Sequence, residues 1–320
     1  MNFKRWIARR EPNWKTLEQL LKQAEGKGLK SLKPDQIQTL ASLYRSASAD
    51  LARAQTHQVS ETLTGSLQAL TSRGYSLIYQ SSRKQEWRSL LRFYRQGFPE
   101  VVRQTWIYTA IATALFIGSG LIAWWYSARD PEFMAMIVPE HLIHKVQNDG
   151  ELWMGSILGS EPAAASDIMT NNIGVCFKVM AGGISAGFFT CLLLVFNGLL
   201  IGGVAALVGQ NGLAGPFWGF VLPHGSLELP AIFLSGGAGL LLARAILFPG
   251  QYKRIDALKI YGQQATQLVY GIVPMLIIAG VIEGFLSPSP LIPDLIKYAI
   301  GTAIFVLFMT YLQNRKGPNP

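Results

Sequence analysis

Residues 173–222 read "IGVCFKVMAGGISAGFFTCLLLVFNGLLIGGVAALVGQNGLAGPFWGFVL", and how this block crosses a membrane decides the fold. It carries one charge, Lys178. Roughly 20 apolar residues in helical form span a bilayer, so the block is long enough for two crossings. The segment beyond it sets the parity. "PGQYKRIDALKIYGQQATQ" (249–267) holds Lys253, Arg254 and Lys259 against Asp256, and basic loops stay on the cytoplasmic side. One crossing of the block would put that segment outside; two put it inside. Breaks are available at Asn197-Gly198 and at Gln210-Asn211-Gly212, with Pro216 beyond, and Asn-Gly is a strong turn signal.

Uncharged runs elsewhere complete the pattern. Residues 104–128, 260–282 and 298–314 contain no Asp, Glu, Lys or Arg. Charged residues make up 15% of the chain and hydrophobic ones 50%, whereas soluble domains carry about 25% charged residues. An all-α, polytopic helical membrane protein is expected, with an N-terminal cytoplasmic helical domain. Its six membrane segments are placed at 105–127, 174–195, 199–221, 227–248, 266–286 and 295–313. A five-crossing arrangement, with 199–222 re-entrant, stays open as the alternative. The first segment has Trp106 and Tyr108 at one end and Trp124, Trp125 and Tyr126 at the other, an aromatic belt at each interface.

The N-terminal third is different. Residues 1–103 hold 18 of the 28 Lys and Arg but 8 of the 19 Asp and Glu. "MNFKRWIARREPNWKTLEQ" lacks an apolar core, so no signal peptide is expected. Trp14, Leu17, Leu20 and Leu21 lie at helical spacing within 13–25, and Gly26 and Gly28 end that helix. Ile37, Leu40, Leu43, Tyr44 and Leu51, then Leu63, Leu67, Leu70 and Leu77, mark two further helices of a small antiparallel bundle. In 81–104, Trp87, Leu90, Leu91, Tyr94 and Phe98 share a helical face, and Arg83, Lys84, Arg88, Arg92 and Arg95 supply the remainder. A basic amphipathic helix next to a span suits an anionic membrane surface. The domains are therefore set at 1–103 (cytoplasmic), 104–314 (membrane, with an acidic external loop at 129–172) and 315–320, a cytoplasmic tail with Arg315 and Lys316.

Chemistry-bearing residues are few. Cys176 and Cys191 sit in apolar sequence at a spacing that fits no metal motif, and read as inert thiols. His57 reads as a solvated surface histidine. His141 and His144, beside Glu140, belong to "EFMAMIVPEHLIHKVQNDGELW", short amphipathic helices of the outer surface. Lys178, His224, Glu228 and Glu283 are expected at a common depth in the outer half of the membrane, and His224 and Glu228 share a face at i,i+4. Ionisable groups at such depth mark either a functional site or mutual pairing at a helix break. Asn197, Gly198, Pro223, Gly225 and Pro230 are expected to be those breaks. Lys178 and Arg244 read more simply as snorkelling side chains. Gly183/Gly187, Gly198/Gly202, Gly202/Ala206 and Ser235/Gly239 are small-xxx-small pairs that let helices touch. There is no nucleophile with a base, no metal quartet and no phosphate loop, so neither an enzyme nor a cofactor nor a metal is expected.

The stretches 171–203 ("NNIGVCFKVMAGGISAGFFTCLLLVFNGLLIGG"), 220–250 ("FVLPHGSLELPAIFLSGGAGLLLARAILFPG") and 279–291 ("AGVIEGFLSPSPL"), together with "FYRQGFPEVVRQ" (93–104), resemble the stage II sporulation protein M family, in its long form with an N-terminal helical region. The resemblance implies a polytopic scaffold without catalysis of its own. The sporulation member holds two peptidoglycan-degrading enzymes at the engulfing septum, and longer relatives are encoded beside MoxR-type AAA ATPases and von Willebrand A-like proteins. The expected function is a non-catalytic scaffold or assembly factor of the bacterial cell envelope, multi-pass in the inner (cytoplasmic) membrane. A small-solute or ion transporter is the alternative. Expected partners are the lipid bilayer, anionic lipid headgroups, an envelope or cytoplasmic protein and a further copy of the chain. Nucleic acid is not among them, because the basic region adjoins a span and carries no recognition motif.

Overall fold

The computed structural model describes residues 3–28, 31–77, 81–157 and 159–313. Among them every regular element is helical. The chain divides into two compact units, Met1–Arg92 and Phe93–Pro320.

The first unit contains α1 (Phe3–Lys27), α2 (Pro34–Thr56), α3 (Glu61–Tyr75) and α4 (Ser81–Arg92). Helix α1 begins ten residues before the expected start and runs through Pro12. It stops where Gly28 takes φ +80°, a conformation that suits glycine. The apolar stripes close on one another: Leu17 and Leu21 of α1 pack with Leu40, Ala47 and Ala54 of α2 and Leu67 and Leu70 of α3. Asp50 is buried in this core because it has partners. Its carboxylate accepts from Arg10 Nε at 2.7 Å and from Trp14 Nε1 at 2.9 Å. His57 is exposed, in ring contact with Phe3. On α4, Trp87, Arg88, Leu91 and Arg92 are exposed. Of the expected membrane-surface residues, Arg83 and Lys84 have side chains outside the described set.

The second unit begins with a π-helical turn, Phe93–Gly97, and α5 (Phe98–Gln104). This segment was expected to lie on the membrane surface as part of the basic domain. Instead Phe98 is buried in the membrane-unit core: it stacks on Tyr311, and a Cβ added at Gly271 would run into its ring. The compact units divide at 92/93, within the segment 81–104, and Arg95, exposed, belongs to the second unit.

Among the described residues five helices are long and apolar enough to cross a membrane: α6 (Trp106–Ser127), α10 (Phe188–Gln210), α11 (Ala214–Leu247), α12 (Arg254–Val281, extended by a π-helical turn to Leu286) and α13 (Asp294–Gln313). A sixth, α9 (Glu161–Ala181), runs the same depth but carries Glu161, Asp167 and Lys178. Its Ala165 lies against Gly284 and its Met169 against Gly280, so it is antiparallel to α12. Its Cys176 and Val179 meet Ser235 and Gly239, so it is parallel to α11. Tyr108, Arg244 and Tyr261 meet at one face of the layer, and Gln210 with Ala128, and Tyr298 with Gly215, at the other. The chain thus passes through the layer an even number of times between α6 and α13.

Counting α9, six helices run through the layer, as in the six expected segments, while five of them are apolar enough to cross a membrane; the limits of the segments differ from expectation. The second, third and fourth passes occupy 161–181, 188–210 and 214–247, each beginning about three turns or more before the expected 174–195, 199–221 and 227–248. Asn197 and Gly198 sit inside α10, and Pro223, Gly225 and Pro230 inside α11. None of these five is a break. In lipid a broken helix leaves several backbone groups unsatisfied, each costing several kcal/mol, whereas a proline removes one bond and leaves its helix intact. Asn197 meanwhile turns its Nδ2 back onto the Leu193 carbonyl at 2.8 Å. The real breaks are a 3₁₀ turn, Gly182–Ser185, followed by Ala186 at φ +57° and Gly187 at φ +88°, and the Asn211-Gly212 turn, where Gly212 has φ +72°. Ser185 Oγ accepts from the Phe189 N–H at 3.0 Å and so caps the start of α10.

Small residues bring the helices into backbone contact. A Cβ on Gly202 would overlap the Gly120 carbonyl, and one on Gly183 the Gly239 carbonyl. The acidic segment is not a surface loop. It folds as α7 (Pro131–Ile137), α8 (Glu140–His144), a π-helical turn (Lys145–Asp149) and a 3₁₀ turn (Trp153–Ile157), and its last residues belong to α9. Met134, Val138, Val146 and Met154 share a core with Val204, Leu207 and Phe217, so the segment closes over the ends of α10 and α11.

Candidate functional site

Beneath that cover lies a cavity of about 400 Å³. Leu142, Trp153 and Met154 line it from above, and Asn197, Phe220, His224, Glu228 and Glu283 from the helical layer. Two elements supply its ionisable groups. α11 stays helical through Pro223 and Gly225, so His224 and Glu228 project from one face, one turn apart. Glu283 comes from the π-helical turn Ile282–Leu286 that ends α12. Such turns insert a residue and re-aim side chains, and they recur at functional sites.

The three ligand-type side chains converge: one atom from each of His224, Glu228 and Glu283 lies within 4.8 Å of the others. His224 Nε2 is 3.7 Å from Glu283 Oε1, longer than a hydrogen bond. The other Glu283 oxygen, Oε2, is buried with no hydrogen-bond partner. His224 Nδ1 faces Ser287 Oγ at 3.1 Å, and the imidazole packs edge-on against Phe220. The Ser287 carbonyl in turn accepts from the buried Lys297 Nζ at 2.8 Å.

Lys178 is not part of this centre. It is exposed near the opposite end of α9, where neighbouring Val179 meets Gly239, because α9 begins thirteen residues earlier than expected. The cation that does lie close is Lys297, which sequence reasoning used only to bound an uncharged run. Ser287 was also missed, although it follows Glu283 by four residues. Arg244 is at the far face, donating to Tyr108 Oη at 2.6 Å and Tyr261 Oη at 3.0 Å. Cys176 is buried and Cys191 half-buried; both are free. His144, on exposed α8, contacts Asn148 at 2.8 Å and Glu140 at 3.6 Å.

A second, larger space adjoins the first. An apolar groove of about 820 Å³ runs between α6, α10, α11 and α13. Gly120, Gly202, Ala205, Gly225 and Gly301 line it together with Trp124, Trp218, Phe233 and Phe305. Phe116, Val221, Gly225 and Leu229 border both spaces, so the polar centre and the groove share a wall.

A family model covers most of the helices that build the two spaces, α13 excepted. The model for stage II sporulation protein M matches residues 112–288, more than half of the chain. The chain belongs to the stage II sporulation protein M family. It is a multi-pass membrane protein of that family, and the polar centre lies wholly within the matched region, with Lys297 just beyond it. A model for a domain of unknown function, DUF8413, matches residues 4–80, within the first compact unit. Among curated proteins, the uncharacterized protein MJ0793 of Methanocaldococcus jannaschii is 37% identical over 76 residues, 22% of this chain. The match covers 41% of that relative, so less than half of its length is represented here. No solved structure matches the chain.

Proposed function

We propose that this member of the stage II sporulation protein M family is a non-catalytic scaffold or assembly factor of the cell envelope, which holds the transmembrane helix of a partner protein. The apolar groove carries this reading. Helix association in lipid depends on small residues that allow close approach. Gly120, Gly202, Ala205, Gly225 and Gly301 line the groove beside Trp124, Trp218, Phe233 and Phe305, so small residues are available for a partner helix to approach. The implied family role as a holder of envelope enzymes agrees with it. The first unit, with its own core, then serves as the arm for a partner in water, and exposed Trp87 and Leu91 beside Arg88 and Arg92 suit an anionic lipid surface.

A photo-crosslinking residue at Leu121, exposed in the groove, tests the proposal in native membranes. The expected product is one discrete protein adduct that Thr302→Trp, which fills the groove, suppresses. Crosslinks to lipid alone, or an adduct indifferent to Thr302→Trp, would overturn it.

The polar cavity favours a second reading, transport of a small solute or ion. There, Glu283→Gln should abolish flux in proteoliposomes while the protein still folds. Equal flux in the variant removes this reading.

A further inference from the structure

The cavity trio poses a physical problem that neither reading above resolves. Two carboxylates and an imidazole stand within 4.8 Å of one another inside an apolar layer. An isolated buried carboxylate is costly, and two side by side repel. Lys297 Nζ donates to the Ser287 carbonyl, and among the described residues no ion pair within 4.0 Å joins it to either carboxylate. The Arg244 guanidinium is held at the opposite face. Glu283 Oε2 has no hydrogen-bond partner. The His224 side chain is only 7% exposed, and its Nε2 points at Glu283 from beyond hydrogen-bond distance. One ligand-type atom from each of the three side chains lies within 4.8 Å of the other two.

We propose that His224 Nε2, Glu228 and Glu283 form a binding site for a divalent transition-metal ion of the zinc class, with its remaining coordination position open to the cavity.

Three features beyond the grouping support it. The first is ligand spacing. Histidine and carboxylate ligands bind Zn²⁺ at about 2.0–2.2 Å, which sets tetrahedral ligand atoms on the order of 3.4 Å apart. The His224–Glu283 separation of 3.7 Å is close to that, and Glu228 offers a ligand atom within 4.8 Å of both. The second is support. Metal-bound histidines hold their other ring nitrogen against a hydrogen-bonding group. Here Ser287 Oγ occupies Nδ1, and Lys297 fixes Ser287 through its carbonyl, so the ring is locked with Nε2 facing the carboxylates. The third is access. The cavity, with Asn197 among its polar lining, leaves room for water or another ligand on the open side. The donor set names the metal class. An imidazole suits Zn²⁺, Fe²⁺, Ni²⁺ or Cu²⁺, whereas Mg²⁺ takes oxygen ligands and Cu(I) seeks thiolates; the buried thiol Cys176 is not a member of the trio.

The test uses the full chain, stripped with chelator in detergent and titrated with Zn²⁺ against a chromophoric competitor, and with Co²⁺ by visible absorption. The wild type should bind one equivalent of Zn²⁺, and Co²⁺ should give d–d bands of a four- or five-coordinate site. Glu228→Gln with Glu283→Gln should abolish both. Ser287→Ala should keep the stoichiometry and weaken binding about 10–100-fold; because it retains all three ligands, it keeps the test decisive where the ligand variants fail to fold. His141→Ala with His144→Ala should change nothing. Zn²⁺ binding that survives Glu283→Gln, is lost with the exposed histidines, or is indifferent to Ser287→Ala overturns the proposal, as does absence of binding in the wild type. Loss of the groove adduct described above bears on the scaffold reading alone and leaves this result untouched.

Discussion

At the scale of single residues, what an ionisable group does follows from the partners the fold gives it. Lys297 is buried and donates to a carbonyl, while Lys178, in an equally apolar stretch, is exposed. Glu25 of α1 is a simpler case that titration can test. The Arg73 guanidinium beside it, at 2.8–3.0 Å, holds its carboxyl below the ordinary carboxylate range. A carboxyl lowered in the folded state adds stability above its unfolded value, and that stability is lost as pH falls through the folded one. Both side chains are about a third or more exposed, so the contribution is on the order of 0.2–1 kcal/mol. Glu25→Gln should therefore lower the melting temperature of the first unit slightly at pH 7. The difference from wild type should shrink below about pH 4.3, the ordinary glutamate value. A difference that does not vary with pH would show that the pair contributes through packing.

Elements are held together by what glycine omits. α6 and α10 touch at Gly120 and Gly202, where no side chain intervenes. Gly202→Ala should push these helices apart and cost about 1–3 kcal/mol, read as earlier thermal aggregation in detergent. Gly118→Ala on α6 is the control: nothing lies within 4 Å of its added Cβ, so it should melt with the wild type. Equal melting of Gly202→Ala would mean that the backbone contact is not what joins these helices. The pairs Gly198/Gly202 and Ser235/Gly239 were legible in the sequence, since spacing alone puts them on one face. Their partners, Ser119 and Phe116 in one case and Thr190 and Val179 in the other, were not, because a spacing does not say which helix comes to meet it.

For the molecule as a whole, the decisive quantity is the number of passes. The Asn211-Gly212 turn and the Pro249–Tyr252 turn lie at opposite ends of α11. In a chain with Cys176 and Cys191 replaced, Asn211→Cys and Tyr252→Cys should label from opposite sides of the membrane, with Tyr252→Cys on the cytoplasmic side. Labelling of both from one side would contradict a membrane-crossing α11. Fold class, the helical N-terminal unit, the even count of passes and the meeting of His224, Glu228 and Glu283 could all be read from the chain itself. Apolar run length, loop charge and i,i+4 spacing are local quantities, and in lipid they act almost alone. The stop at Asn211-Gly212 was among the breaks the sequence offered, but the one at Gly182–Gly187 was not. Proline, glycine and Asn-Gly break helices in water because water satisfies the freed backbone groups; in the bilayer interior the helix continues through them. Only the tertiary structure decided that α10 and α11 run on past Asn197 and Pro223. It also decided that the acidic segment folds down as a roof and that Lys297, not Lys178, lies beside the polar centre, since each depends on which distant surface is there to receive the group.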